Sequence, residues 1–181
     1  LFQTSDTTWQ AYNQYGGRSL YRPSRRTRAL KVSYDRPLDT RASEPSSSLF
    51  AAEYPMIRWL EANGYDVSYT TGVDTARRGS QLVDHDVFLS VGHDEYWSGE
   101  QRANVEAARD AGVHLAFFSG NAVFWKTDWV RPVDAHLRAA GAAASGRSPC
   151  APWVWRAGRW MPSAAGRSTW ACDSRSSARC A

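Results

Sequence analysis

Residues 1–137 contain no cysteine. That excludes a thiol nucleophile, a disulfide and a thiolate metal site from most of the chain. The three cysteines, Cys150, Cys172 and Cys180, all lie later. Their spacings match no zinc pattern, and an odd count cannot be fully paired within one chain. No apolar run reaches the roughly 18 residues of a membrane span, and no signal-peptide pattern opens the chain. A membrane partner is therefore not expected. A Gly-rich phosphate loop, a G-x-S-x-G elbow and an H-E-x-x-H helix are also missing. Ser5 and Ser119 have no base beside them in sequence. The chain opens at Leu1, without an initiator Met and already in a strand-like run. That reads as a piece of something longer, so the compartment stays open: cytoplasmic for an enzyme, extracellular if cut from a secreted protein.

The net charge of +4 is unevenly spread. Up to Arg138, 16 Lys/Arg face 17 Asp/Glu, a net of −1. From Ala139 onward, 6 Arg face one acid, a net of +5. The basicity belongs to the tail, and the body has no electrostatic footprint for nucleic acid. The tail also lacks Leu, Ile, Phe, Tyr, Lys, Glu, Gln, Asn and His, yet carries Trp153, Trp155, Trp160 and Trp170. Its common residue types have GC-rich codons, and exposed indoles are foreign to a linker. The expected division is an α/β domain over 1–137 and a low-complexity Ala/Ser/Arg/Trp tail over 138–181, frameshifted and disordered.

Within the body, short strands alternate with helices. Leu1–Gln3, Leu30–Tyr34, Tyr65–Thr70, Val87–Ser90 and Val113–Phe118 read as strands. Asp6–Asn13 reads as a capped helix. In Leu49–Asn63, Phe50, Tyr54, Ile57 and Leu60 recur at helical spacing, with Pro55 as a kink or first turn and Gly64 as the stop. Asp74–Leu82 reads as a short helix, Gly99–Ala111 as a longer one, and a further helix is expected to start over Ala122–Trp125. Arg22–Arg28 and Asp39–Ser48 read as loops. This alternation predicts βαβ units and a mostly parallel sheet flanked by helices in three layers.

The run Ser90-Val91-Gly92-His93-Asp94-Glu95-Tyr96-Trp97-Ser98 sits between strand and helix, where open α/β sheets bind ligands. Glu95 is a candidate metal ligand or general base; the plainer reading is a carboxylate stabilised by a helix N-terminus. Asp94 fits that plainer role better. His93 reads as a group that orients a carbonyl or shuttles a proton, or as a satisfied histidine at a strand end. Asn121 reads as a substrate hydrogen-bonding group or a helix cap. Tyr12 and Tyr34 read as core aromatics with bonded hydroxyls. Trp97, Phe124 and Trp125 suit packing or the walls of a pocket. Thr8–Gly17, Gly92–Trp97 and Ser119–Trp125 converge if they leave the same sheet edge.

Several words in this sequence carry a family resemblance. They are Thr8-Trp9-Gln10-Ala11-Tyr12-Asn13 with Gly16-Gly17, Val32-Ser33-Tyr34-Asp35-Arg36-Pro37, and Glu53-Tyr54-Pro55-Met56-Ile57-Arg58-Trp59-Leu60. Gly92-His93-Asp94-Glu95-Tyr96-Trp97 and Phe118-Ser119-Gly120-Asn121 with Phe124-Trp125 complete the set. In this order, from about Leu1 to Trp129, they resemble the large (beta) subunit of N,N-dimethylformamidase. The resemblance implies a fold like the class I glutamine amidotransferases, without their cysteine. It implies a mononuclear ferric ion (Fe3+) held by two tyrosines and one glutamate, here Tyr12, Tyr34 and Glu95, with Tyr12 preferred to Tyr15. His93 and Asn121 become its catalytic or substrate-binding groups. The implied activity is hydrolysis of a small amide by metal-activated water. A small second subunit and homo-oligomerisation are implied partners. The rival expectations are a non-catalytic or carbohydrate-related domain on the same scaffold, or an inactive pseudogene product. The family's domain runs on past the Asn121 segment, where this chain carries the odd tail, so truncation is expected.

Overall fold

The computed structural model describes residues 1–21, 28–38, 49–130 and 154–159. Its first sheet has the order β3-β1-β4-β6, from β1 (Phe2–Thr4), β3 (Tyr69–Thr71), β4 (Val87–His93) and β6 (His114–Gly120). Every pairing in it is parallel. β4 and β6 pair from Val87↔His114 through His93↔Gly120. Helices α1 (Asp6–Tyr12), α2 (Tyr54–Ala62), α3 (Gly72–Arg77) and α4 (Gly99–Asp110) connect and flank the strands. The α/β class and the mostly parallel sheet expected from the alternation are both present. No helix among the described residues is long and apolar enough to cross a membrane.

Local chemistry explains the helix boundaries. α4 begins after Ser98, whose hydroxyl accepts the Gln101 N–H at 3.1 Å, and it buries Val105 and Ala108. A π-helical turn, Leu49–Glu53, precedes α2, and Pro55 occupies the first turn of α2, where a missing N–H costs no hydrogen bond. Gly64 (φ +73°) follows its end. Leu60 packs with Phe2 and Val91 beneath this helix. Trp97 is buried with Leu82, Phe88 and Val105, so it is core and not pocket wall.

A second sheet, of order β2-β8-β7-β5, is not part of the sequence expectation. It joins β2 (Val32–Ser33), β5 (Tyr96–Ser98), β7 (Trp125–Val130) and β8 (Val154–Arg159). β5 and β7 run parallel, while β8 is antiparallel to both β7 and β2. The helix expected to start over Ala122–Trp125 is a turn leading into a strand. Asn121 and Val123 take positive φ (54° and 55°), and the Val123 and Trp125 N–H groups bond the Asp94 and Glu95 carbonyls at 2.9 and 2.8 Å. The left-handed backbone at Asn121 and Val123 breaks right-handed helical geometry, and the two N–H groups instead tie the turn to β5's entry. β4 also runs three residues beyond Ser90, so the polar turn after it is only Asp94–Glu95 before β5 begins. Of residues 138–181, only 154–159 are among those described, and they form the strand between β7 and β2. The rest of that expected tail, the loop over 39–48 and most of the loop over 22–28 lie outside the described residues.

Candidate active site

The carboxyl ends of β1, β4 and β6 lie side by side because the strands are parallel neighbours. Three segments therefore leave one edge of the sheet: α1, the Asp94–Glu95 turn, and the turn after Gly120. Thr8 on α1 ties the first two together. Its Oγ1 accepts the N–H of Glu95 at 2.9 Å and of Tyr96 at 3.1 Å. Thr7 Oγ1 donates to the Tyr96 carbonyl at 2.6 Å. The Val123 and Trp125 N–H groups tie in the third segment. The backbone around Glu95 is thus held from both sides.

Glu95 is 3% exposed. The Tyr12 hydroxyl, from the last residue of α1, donates to its Oε2 at 2.6 Å. Burial pushes the Glu95 carboxyl up, while Tyr12, His93 and Arg28 pull it back. Burial and the facing carboxylate push the Tyr12 phenol well above its ordinary range. The Tyr12 ring stands edge-on to His93 and Tyr96, centroids 6.4 and 6.1 Å away, and stacks on Tyr21 at 4.2 Å. His93 is half-buried, and the Asn121 Nδ2 lies 3.1 Å from its Nε2. With the amide donating, Nε2 accepts and the ring proton sits on Nδ1.

Tyr34, just beyond β2, packs on the same cluster as Tyr12, formed by Ala11, Leu20, Ala29, Val32 and Tyr96. Its hydroxyl goes elsewhere: it donates to Asp6 Oδ2 at 2.5 Å. Asp6 Oδ1 accepts the Gly72 N–H at 2.6 Å, so Asp6 bridges Tyr34 to the start of α3. Burial and Asp6 push the Tyr34 phenol up, and burial pushes the Asp6 carboxyl up. Of the five candidate side chains, Tyr12 meets Glu95 and His93 meets Asn121, while Tyr34 meets Asp6. Two plainer readings do not hold. Glu95 is not in the first turn of a helix, because α4 starts at Gly99 after β5. Asn121 caps no helix, because β7 follows it.

Three further carboxyls lie near this edge: sequence reasoning missed Glu53 and Asp6, and read Asp94 as a helix N-terminal group, which its place between β4 and β5 rules out. Asp94 is fully buried and accepts from Gln3 Nε2 at 2.7 Å and Ser90 Oγ at 2.8 Å. Burial lifts it to about 7. Glu53, 1% exposed, accepts on Oε1 from the Ser5 N–H at 3.0 Å, the Ser5 hydroxyl and the Trp9 indole at 3.2 Å. Burial lifts it to about 7 as well. Its Oε2 has no partner among the described residues. Asp6, with its carboxyl on Tyr34 and Gly72, is the third. The available signals were a lone acid in the apolar stretch around Glu53 and an acid two residues after β1.

Phenol and carboxyl oxygens in contact, with an imidazole and an amide at the rim, form a donor set suited to a hard cation and to proton transfer. A family model described as N,N-dimethylformamidase beta subunit-like, C-terminal, matches residues 1–164. The matched span contains all five candidate residues and reaches past β8. No curated protein matches the chain.

Proposed function

The chain belongs to the N,N-dimethylformamidase beta subunit-like C-terminal family, and on that premise we propose that it is an iron-dependent amide hydrolase domain. The observation that carries this reading is the Tyr12–Glu95 contact at 2.6 Å beside the His93–Asn121 pair. The donor set suits ferric iron, because hard anionic oxygens prefer a hard cation. Tyr12 and Glu95 would hold it. Tyr34 would join them by giving up its bond to Asp6. Bound there, the ion supplies Lewis acidity, which makes water a competent nucleophile at neutral pH and polarises an amide carbonyl.

The chain's own residues supply the rest. Hydrolysis forms a C–O bond to water's oxygen, breaks the C–N bond and hands a proton to the departing amine. His93 would carry that proton, with Asn121 fixing the imidazole for it. The Asn121 amide is exposed at the rim, where it can also donate to the carbonyl oxygen as charge develops there. Phe124, packed edge-on to Trp125 at 5.2 Å and half exposed, offers an apolar wall to a small N-alkyl amide.

The test is to load the purified full chain with ferric iron, record its visible spectrum, and assay release of amine and formate from N,N-dimethylformamide. The expected result is a phenolate-to-iron charge-transfer band, lost in Tyr12→Phe and in Tyr34→Phe together with hydrolysis. Hydrolysis by a colourless, iron-free protein, or an unchanged band in both variants, rejects the site.

A further inference from the structure

Two arginines near this edge are used in opposite ways. Arg36 spends its guanidinium on the fold. Its Nε donates to the Ser33 carbonyl at 3.0 Å, Nη2 to Gln10 at 2.6 Å, and Nη1 to Asn13 and Arg18 at 3.0 and 2.8 Å. Arg28 does none of this. Its guanidinium lies over the Trp125 ring, 4.6 Å from the centroid. Among the described residues it makes no hydrogen bond or ion pair. Yet it is half-buried and well placed: the next residue, Ala29, is buried and donates its N–H to the Ser19 carbonyl at 2.8 Å.

Arg28 also stands beside the reacting groups. Its charge reaches both the Glu95 carboxyl and the Tyr96 phenol. Trp125, which it covers, stacks on Tyr96 at 6.3 Å and bonds the Glu95 carbonyl through its backbone N–H. The ring contact occupies one face of the guanidinium, and its N–H fork meets no acceptor among the described residues; such a fork matches a carboxylate with two parallel bonds. A structural arginine has its fork filled, as Arg36 does, whereas a half-buried one at a site mouth whose fork meets no acceptor among the described residues is arranged for a ligand.

We propose that Arg28 recognises a carboxylate carried by the substrate, so that this site takes N-acyl amino acids or similar anionic amides in preference to neutral ones. This rests on the amide-hydrolase reading above. The amide would lie toward Glu95 and His93, with its carboxylate on the Arg28 fork above Trp125.

Calorimetric titration of the purified full chain with N-formylglycine, and with its uncharged counterpart N-formylglycinamide, tests this. The native chain should favour N-formylglycine by about tenfold or more, since a charge-assisted pair is worth that much in affinity. Arg28→Gln should erase the preference and leave N-formylglycinamide binding unchanged. Arg28→Lys should keep part of it, because the charge remains without the fork. A native chain that binds both alike, or an Arg28→Gln variant that weakens both equally, overturns carboxylate recognition and leaves the hydrolase reading standing. Binding of neither amide overturns both.

Discussion

Tyr12 and Glu95 stand 83 positions apart in the chain and are joined by one 2.6 Å hydrogen bond, from the phenol to Oε2. The bond acts on the two partners in opposite directions. It lowers the Glu95 carboxyl against the rise from burial, and it adds to the rise of the Tyr12 phenol. Tyr12→Phe removes the donor and leaves a buried carboxylate short of a partner. The expected loss is about 1–3 kcal/mol of stability at pH 7, read as a lower urea midpoint with an unchanged slope. In Glu95→Gln the amide can still accept from Tyr12, so the loss should be smaller.

Glu53 makes the fold sensitive to alkali. Its carboxyl is lifted from 4.5 to about 7, chiefly by burial, with the nearby Asp94 adding to it. A raised carboxyl stabilises the fold most below its unfolded value, and that stability is lost as pH rises through the folded one. The window therefore runs from about pH 4.5 to 7, and the loss is about 3 kcal/mol. Glu53→Gln should unfold at higher urea than the native chain at pH 8 and at nearly the same urea at pH 4. Asp94, lifted the same way, should leave part of the slope in the variant. Equal stability of the two proteins at pH 8 would show that Glu53 is not strained by its burial.

Gly92 and Gly16 separate backbone strain from crowding. Both take positive φ, +84° and +75°. A Cβ on Gly92 would lie 2.8 Å from the Ala52 Cβ, whereas one on Gly16 would meet nothing within 4 Å. Gly16→Ala should cost about 1 kcal/mol, the conformational penalty alone. Gly92→Ala should cost about 1–3 kcal/mol beyond that, because the π-helical turn carrying Ala52 and Glu53 must shift. Thermal unfolding of the two variants gives the comparison directly.

The centre of the parallel sheet was legible because β4 and β6 carry local apolar runs. Val87-Phe88-Leu89 and the segment from Val113 announce themselves before any partner is known. α4 was legible too, with Ser98 at its start. The second sheet was not. β2 falls within the strand read over Leu30–Tyr34, but β5 is only three residues long and wholly buried, so it shows no alternation. β7 pairs with β8 across a long stretch of sequence, and no local period reports such a pairing. The spacing of Phe50, Tyr54, Ile57 and Leu60 located a helix, and those four residues do not mark its buried face. Phe50 and Tyr54 are exposed, and of the four only Leu60 is buried. At the site, Glu95 and His93 stood out because they crowd one turn. Arg28 did not, because an arginine at the end of a basic loop reads as solvated until its stacking on Trp125 is seen. Tyr34's tie to Asp6 was equally hidden, since an acid opening a helix is ordinary.

The position of Glu95 depends on a residue that no motif singles out for chemistry. Thr8 Oγ1 accepts two backbone N–H groups, those of Glu95 and Tyr96. Thr8 is fully buried, so no water can replace it. Thr8→Val keeps the shape and removes the acceptor, leaving two buried donors unpaired. Each costs about 1–3 kcal/mol, so the variant should lose about 2–6 kcal/mol. Thr8→Ser keeps the oxygen and gives up one methyl, a loss of about 1 kcal/mol. Hydrogen exchange distinguishes a local effect from a general one. In Thr8→Val the Glu95 and Tyr96 amides should exchange faster than the core of β4, while in Thr8→Ser they should not. On the iron-binding proposal, the charge-transfer band should weaken with Thr8→Val and persist with Thr8→Ser, because that oxygen holds the α1 side of the turn that presents Glu95 to Tyr12.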